Sequence, residues 1–108
     1  MDNSLDKYII HVEGENRGNI VMFTLSNCAW CRRAKQLLDE LGVEYYYVDV
    51  DLAERKGRQK LMKTLERWNP ACIFPTVVID KNVCIGGYYE SKIRKALEKR
   101  NAIVIGEY

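Results

Sequence analysis

Apolar and polar positions divide this chain into short strands and amphipathic helices. Ile20 to Leu25 is nearly all apolar, the pattern of a strand covered on both faces. The spacing then changes. Ala34, Leu37, Leu38 and Leu41 fall at i, i+3, i+4 and i+7, which predicts a helix from about Ala29 to Leu41, with Gly42 as a left-handed cap. Val43 to Val50 reads as a second strand, with Tyr45, Tyr46 and Tyr47 as β formers. The alternation of Tyr46, Val48 and Val50 with Asp49 and Asp51 predicts one more polar face. Ala53 to Trp68 is a charged helix with Leu61, Leu65 and Trp68 on one stripe; Gly57 weakens its first half and Asn69-Pro70 ends it. Thr76 to Ile79, the turn Asp80-Lys81-Asn82 and Val83 to Ile85 form a hairpin, which Gly86-Gly87 breaks. Ile93, Ala96 and Leu97 mark a final helix from about Glu90 to Arg100. At the two ends, Tyr8 to Val12 predicts an extra edge strand, and Ile103 to Ile105 a further one.

The element order is β-α-β-α-β-β-α behind the added N-terminal strand. A strand-helix-strand unit is parallel and right-handed, and a tight hairpin is antiparallel, so an α/β fold with a mixed sheet follows. The 108 residues form one domain, 1–108, with its core at about 20–100. Apolar residues at 47% and charged residues at 30% describe a soluble globule. The net charge is +2, with both signs interspersed, which argues against nucleic acid and membrane surfaces as partners. No apolar run approaches the ~20 residues that span a bilayer, and Met1 to Lys7 has no signal-like stretch. A cytoplasmic protein is expected, with its four cysteines reduced and used for redox or metal chemistry.

Two cysteines stand out. In Ser26-Asn27-Cys28-Ala29-Trp30-Cys31-Arg32-Arg33 the pair sits where a strand ends and a helix begins. Ser26 or Asn27 can cap that helix. Cys28 then lies at the positive end of the helix dipole, where an anionic sulfur is favoured, and Arg32 or Arg33 add to that effect. Cys31 is one turn on, close enough to bridge to Cys28. Of the other two, Cys84 is expected to be a buried apolar residue within its strand. Cys72 is expected to pack in its loop, with a place near the redox pair as the lesser alternative. His11, the lone histidine, is expected to face solvent or be satisfied locally.

Three features converge: C-x-x-C at the start of the first helix, Pro75 before a strand, and Gly86-Gly87 before the last helix. With them the chain resembles the glutaredoxin family over roughly Ile20 to Arg100. The resemblance implies a thioredoxin-like fold, a mixed four-stranded sheet flanked by three helices, here with the extra N-terminal strand. It implies that Cys28 is the nucleophile, Cys31 the resolving cysteine, and Pro75 the cis-proline facing the disulfide. The implied substrate site is Ala29, Trp30, Gln59, Phe74, Pro75, Gly86, Gly87, Tyr88 and Tyr89. Several positions differ from the family's usual residues. Ala29-Trp30 replaces Pro-Tyr between the cysteines, and Ile73-Phe74 replaces Thr-Val before the proline. Leu25 stands where a lysine is common. Tyr88-Tyr89 follow the glycines where acids commonly hold the amino group of glutathione, with Glu90 third. Arg58, Gln59 or Lys60 is the candidate for its glycyl carboxylate.

The expected activity is thiol–disulfide oxidoreduction on protein disulfides or mixed disulfides through Cys28 and Cys31, by a monomer without resident cofactor or metal. The candidate reductants are a flavin disulfide reductase, a thioredoxin-like protein, or glutathione as co-substrate. Protein partners are expected to be handled better than glutathione. The alternative is an iron–sulfur carrier, because some glutaredoxins with a small residue at the Ala29 position hold a [2Fe–2S] cluster. A zinc site built from Cys28, Cys31, Cys72 and Cys84 ranks last.

Overall fold

The computed structural model describes residues 3–106, with side chains for residues 5–98. A 3-10 helix, Asn3–Tyr8, leads into β1 (Ile9–Val12), and the chain continues through β2 (Ile20–Thr24), α1 (Ala29–Leu41) and β3 (Tyr45–Asp49). A 3-10 turn, Val50–Leu52, precedes α2 (Arg55–Trp68), β4 (Thr76–Ile79), β5 (Val83–Gly86) and α3 (Glu90–Gly106). The five strands form one sheet in the order β1-β3-β2-β4-β5. β2 and β3 are parallel; β1–β3, β2–β4 and β4–β5 are antiparallel. The expected fold is present, with Ile9–Val12 of the predicted Tyr8 to Val12 run contributing the edge strand and Tyr8 closing the 3-10 helix.

Each face of the sheet buries its own cluster. On one, Ile20, Met22, Val77 and Ile79 pack with Leu37 and Leu38 of α1 and Ile93 and Leu97 of α3. On the other, Phe23, Val48 and Val78 pack with Val50, Ala53, Leu61 and Leu65. Two residues one apart on a strand therefore enter different cores. β3 shows why its predicted polar face is not one: Tyr45 and Tyr47 join the first cluster, and Asp49 is drawn into a hydrogen-bonded network described below.

The C-terminal strand expected at Ile103 to Ile105 is helix instead. Between Glu90 and Gly106 the chain has no glycine or proline, so nothing stops α3 once it has started. The β-branched trio follows its context, since β propensity is weak against an established helix. Cys84 also departs from expectation: it is exposed. It lies on the edge strand β5, on the opposite face from buried Ile85.

Gly57 has a packing role that its helix penalty hides. It is buried, and a Cβ there would meet Tyr8 Cε2 at 2.5 Å and Tyr8 Oη at 2.8 Å. The N-terminal 3-10 helix thus seats its tyrosine directly on the backbone of α2. Gly→Ala in a helix ordinarily stabilises by about 1 kcal/mol. Here an overlap cost of about 2 kcal/mol, mid-range for overpacking, outweighs that gain and reverses the sign. Gly57→Ala is expected to lower the melting temperature by roughly 5 °C, and adding Tyr8→Ala should remove the overlap and cancel the Gly57→Ala penalty. A higher melting temperature for Gly57→Ala alone would refute this packing.

Candidate functional site

The strand register gathers four loops at one end of the sheet. Thr24 pairs with Asp49, Phe23 with Thr76, and Thr76 with Gly86. The segments just beyond those residues are Leu25–Cys31, Val50–Leu52, Ile73–Pro75 and Gly87–Tyr89, and they share that end. Hydrogen bonds tie them together. Asp51 accepts from the Ser26 amide at 2.9 Å and from the Ser26 hydroxyl at 2.5 Å, and Gly87 N–H donates to the Pro75 carbonyl at 2.6 Å. The serine bonds hold the Asp51 carboxyl below its usual range, the side-chain hydroxyl more than the amide.

At the start of α1 the cap differs from expectation. Asp51 occupies Ser26, and the N-cap is Cys28 itself, whose sulfur accepts from Cys31 N–H at 3.2 Å. The sulfur is thus in contact with one of the free first-turn amides, a placement that favours negative charge. Cys28 is half-buried and Cys31 is 0% exposed. Cys31 belongs to the core stripe of α1 with Ala34, Leu37 and Leu38. Its burial is the first cause that pushes its thiol up to about 12; the hydrogen bond and proximity to Cys28 act the same way, while the Leu25 backbone and Lys35 oppose it. One cysteine is reachable and the other is sheltered.

Beneath this turn is a polar network that the sequence did not announce. Thr24 is fully buried, and its single hydroxyl proton faces Asp49 Oδ1, at 2.6 Å, with the Val48 carbonyl also in reach at 3.1 Å. Lys35, one turn past Cys31, reaches Asp49 Oδ1 at 3.7 Å and sits 3.8 Å from the centroid of the Tyr47 ring. Both members of this ion pair are largely shielded from solvent. A threonine and an aspartate at the ends of otherwise apolar strands were the available signal.

The Phe74–Pro75 peptide is cis, as the family resemblance implied. Among the described residues, neither the N–H nor the C=O of Phe74 has a partner. Asn69, read from the sequence only as a helix stop, organises this loop. Its side chain donates to Thr76 Oγ1 at 3.2 Å and accepts from Ala71 N–H at 3.1 Å, and its carbonyl accepts from Cys72 N–H at 2.8 Å. Gly86 has no side chain because a Cβ there would run into Asn69 Nδ2, and Gly87 takes φ +95°. Cys72, at φ +51°, packs against the cluster of Phe23, Val48 and Leu61.

Aromatic side chains flank the cysteines. Trp30 is 62% exposed and stacks on Tyr88, with ring centroids 5.8 Å apart. Of the six exposed large apolar side chains among the described residues, four (Trp30, Leu52, Ile73 and Tyr89) belong to the clustered loops. Glu90 already has partners: it accepts from Arg94 Nε at 2.8 Å and Tyr88 Oη at 3.2 Å, and Arg94 is the main reason its carboxyl lies below the usual range. Arg33, Gln36, Glu40, Tyr88 and Glu90 line a shallow polar depression beside the stack. Arg32, Arg33, Ala29 and Gln59 are exposed, and His11 bonds Glu44 at 2.6 Å on the surface. Among the described residues, no three His, Cys, Asp or Glu side chains come together to hold a metal. No helix among them is long and apolar enough to cross a membrane.

Comparison with known proteins agrees with this geometry. The glutaredoxin family model matches residues 20–84. The crystal structure of the glutaredoxin from Methanosarcina mazei is similar at TM-score 0.77 and 40% identity, over 83% of this chain and 87% of that one. Methanoredoxin from Methanosarcina acetivorans is similar at TM-score 0.75 and 44% identity, over 78% and 88%. Glutaredoxin 1 of Rickettsia bellii is 34% identical over 84 residues, 77% of this chain and 76% of that protein. A C-x-x-C turn at the mouth of a thioredoxin-like sheet, a cis-proline loop and these matches together place the chain in the glutaredoxin family, a family of thiol–disulfide oxidoreductases.

Proposed function

We propose that the protein reduces disulfides of partner proteins, with Cys28 as nucleophile and Cys31 as resolving thiol. The observation that carries this is their asymmetry: Cys28 is only half-buried and its sulfur accepts the Cys31 amide, whereas Cys31 is fully buried in the core stripe of α1. The Cys28 thiolate attacks one sulfur of the substrate disulfide, forming a mixed disulfide and releasing the other sulfur as a thiolate, which takes up a proton. Cys31 then loses its proton and attacks the Cys28 sulfur. A Cys28–Cys31 disulfide forms and the second substrate thiol leaves. Two electrons have passed to the substrate, and an external two-electron reductant must return them. The unpaired Phe74 amide and carbonyl suit an extended substrate backbone laid beside Pro75.

The electron donor we propose is a flavin disulfide reductase or another dithiol protein. A glutathione site must meet three charged groups of a flexible tripeptide. Leu25 offers no charge, Tyr89 is apolar and exposed, and Glu90 is committed to Arg94. Losing a charge-assisted hydrogen bond costs about 1.5–3 kcal/mol, so two losses weaken binding about a hundredfold or more. The exposed Trp30, Leu52, Ile73 and Tyr89 offer flat apolar area suited to a protein surface. In a coupled assay, glutathione with its reductase is expected to sustain less than about a tenth of the turnover that thioredoxin reductase or a dithiol protein sustains. Turnover of a glutathione mixed disulfide at rates matching ordinary glutaredoxins would overturn this choice of donor.

Ala29 favours a second reading, an iron–sulfur carrier. Because Cys31 is buried, each chain offers one accessible active-site sulfur, so a [2Fe–2S] cluster here would need two chains and two external thiols. Colourless protein from anaerobic purification rejects this reading, and a brown protein with visible absorbance supports it.

A further inference from the structure

The surface charge is less even than the composition suggests. In fourteen residues α2 carries six cations, Arg55, Lys56, Arg58, Lys60, Lys63 and Arg67, against Glu66 alone. The other 94 residues carry eleven cations and fourteen acids, a net charge of −3. Lys56, Lys60, Lys63 and Arg67 fall at i, i+4, i+7 and i+11, all exposed, on the side turned away from the buried stripe of Gly57, Leu61 and Leu65. Like charges at that spacing destabilise a helix, so the line works against the element that bears it. Lys56, Lys63 and Arg67 have no ion pair or hydrogen-bond partner among the described residues, whereas Glu54 pairs with Lys7 and Glu90 with Arg94.

The line also lies at the right end of the molecule. α2 leaves the catalytic end just after Asp51, which holds Ser26, and after exposed Leu52. It comes back to that end at its C-terminus, where its cap Asn69 bonds Thr76 at the start of β4. Eleven residues of helix extend the charge over about 16 Å, the reach of about five extended residues.

Resting on the dithiol reading above, we propose that this face of α2 receives an acidic polypeptide segment flanking the disulfide of a partner protein. The apolar rim takes the residues beside the disulfide, and Lys56, Lys60, Lys63 and Arg67 take the acidic flank. Charge complementarity of this kind sets specificity and association rate, and salt weakens it.

The test uses two peptides of about twelve residues, one with Glu/Ser flanks and one with Lys/Ser flanks around a central position. Binding is read by fluorescence anisotropy with serine at the centre, so that no exchange occurs. Turnover is read separately by release of thionitrobenzoate from a central cysteine that carries it as a mixed disulfide. At about 20 mM salt the Glu peptide is expected to bind at least tenfold tighter than the Lys peptide, and at about 500 mM the ratio should fall below about two. The Lys56→Gln/Lys63→Gln/Arg67→Gln variant should lose the preference, and the corresponding triple Glu variant should invert it. Equal affinities, a preference that survives both variants, or tighter binding of a single-stranded oligonucleotide of equal charge overturns the proposal. Preferential binding without thionitrobenzoate release supports this surface and rejects the dithiol reading. Release without preference rejects this surface alone.

Discussion

Replacing Cys28 with serine is expected to reduce disulfide turnover by at least about three orders of magnitude, because a hydroxyl at this position neither ionises nor exchanges with a disulfide. Cys31→Ser should behave differently. The first attack leaves Cys28 joined to the substrate, and with no second sulfur the reaction stops there. Intact-mass measurement should show wild-type protein accumulating an internal disulfide, 2 Da lighter on about a one-dalton-per-hydrogen count, and Cys31→Ser carrying the full mass of one substrate half. The asymmetry follows from burial: Cys28 is half-buried at the N-cap, and Cys31 shares the core stripe with Ala34 and Leu38. Iodoacetamide at neutral pH should therefore label Cys28 first. If Cys31 is labelled first, the assignment of roles is reversed.

Much of this site was legible because its signals are local. The helix α1 runs from Ala29 to Leu41 as its apolar spacing predicts, and Gly42 caps it at φ +69°. The cysteine pair, the proline and the glycine pair are fixed by strand-to-helix and loop-to-strand turns whose punctuation is written in a few residues. What stayed hidden depends on partners distant in sequence. Ser26 has the composition of an N-cap, but Asp51, twenty-five positions on, engages both its amide and its hydroxyl, and the cap passes to Cys28. Gly57 reads as a weak point of a helix until Tyr8 is found lying on it. Asn69 reads as a stop signal, whereas its amide fixes the start of β4 and excludes a side chain at Gly86. Cys84 looks apolar by its neighbours Val83 and Ile85, yet whether a strand residue is covered depends on the strand's place in the sheet, and β5 is an edge. At Ile103 to Ile105 intrinsic preference lost to helix continuation, a contest that composition does not decide.

The second step of the reaction should carry a steep pH dependence of its own, and Lys35 should speed it. Burial favours the neutral thiol of Cys31, which lies at about 12. Joining Cys28 to a substrate removes that residue's share of the effect but leaves burial, the largest cause, in place. With its thiol at about 12, only about one Cys31 in 10⁵ is a thiolate at neutral pH; loss of the Cys28 share raises that fraction, and while burial keeps the thiol above pH 9 it rises about tenfold for each pH unit. Pre-formed Cys28 mixed disulfide, followed by stopped-flow, should resolve roughly a hundredfold faster at pH 9 than at pH 7, with no plateau between them. The one nearby charge that opposes burial is Lys35, whose ammonium is held between Asp49 and the Tyr47 ring. Lys35→Met removes that charge, so the thiolate becomes rarer and resolution should slow about three- to tenfold across the whole pH range, while the first attack by Cys28 changes less than about twofold. Lys35→Arg keeps the charge and should stay within about threefold of wild type. A lysine that only fills space would give the opposite ranking, because methionine matches its shape and tolerates burial better than arginine does. A resolving rate flat between pH 7 and 9 would show that Cys31 ionises far more readily than its burial implies, and the electrostatic role of Lys35 would fall with it.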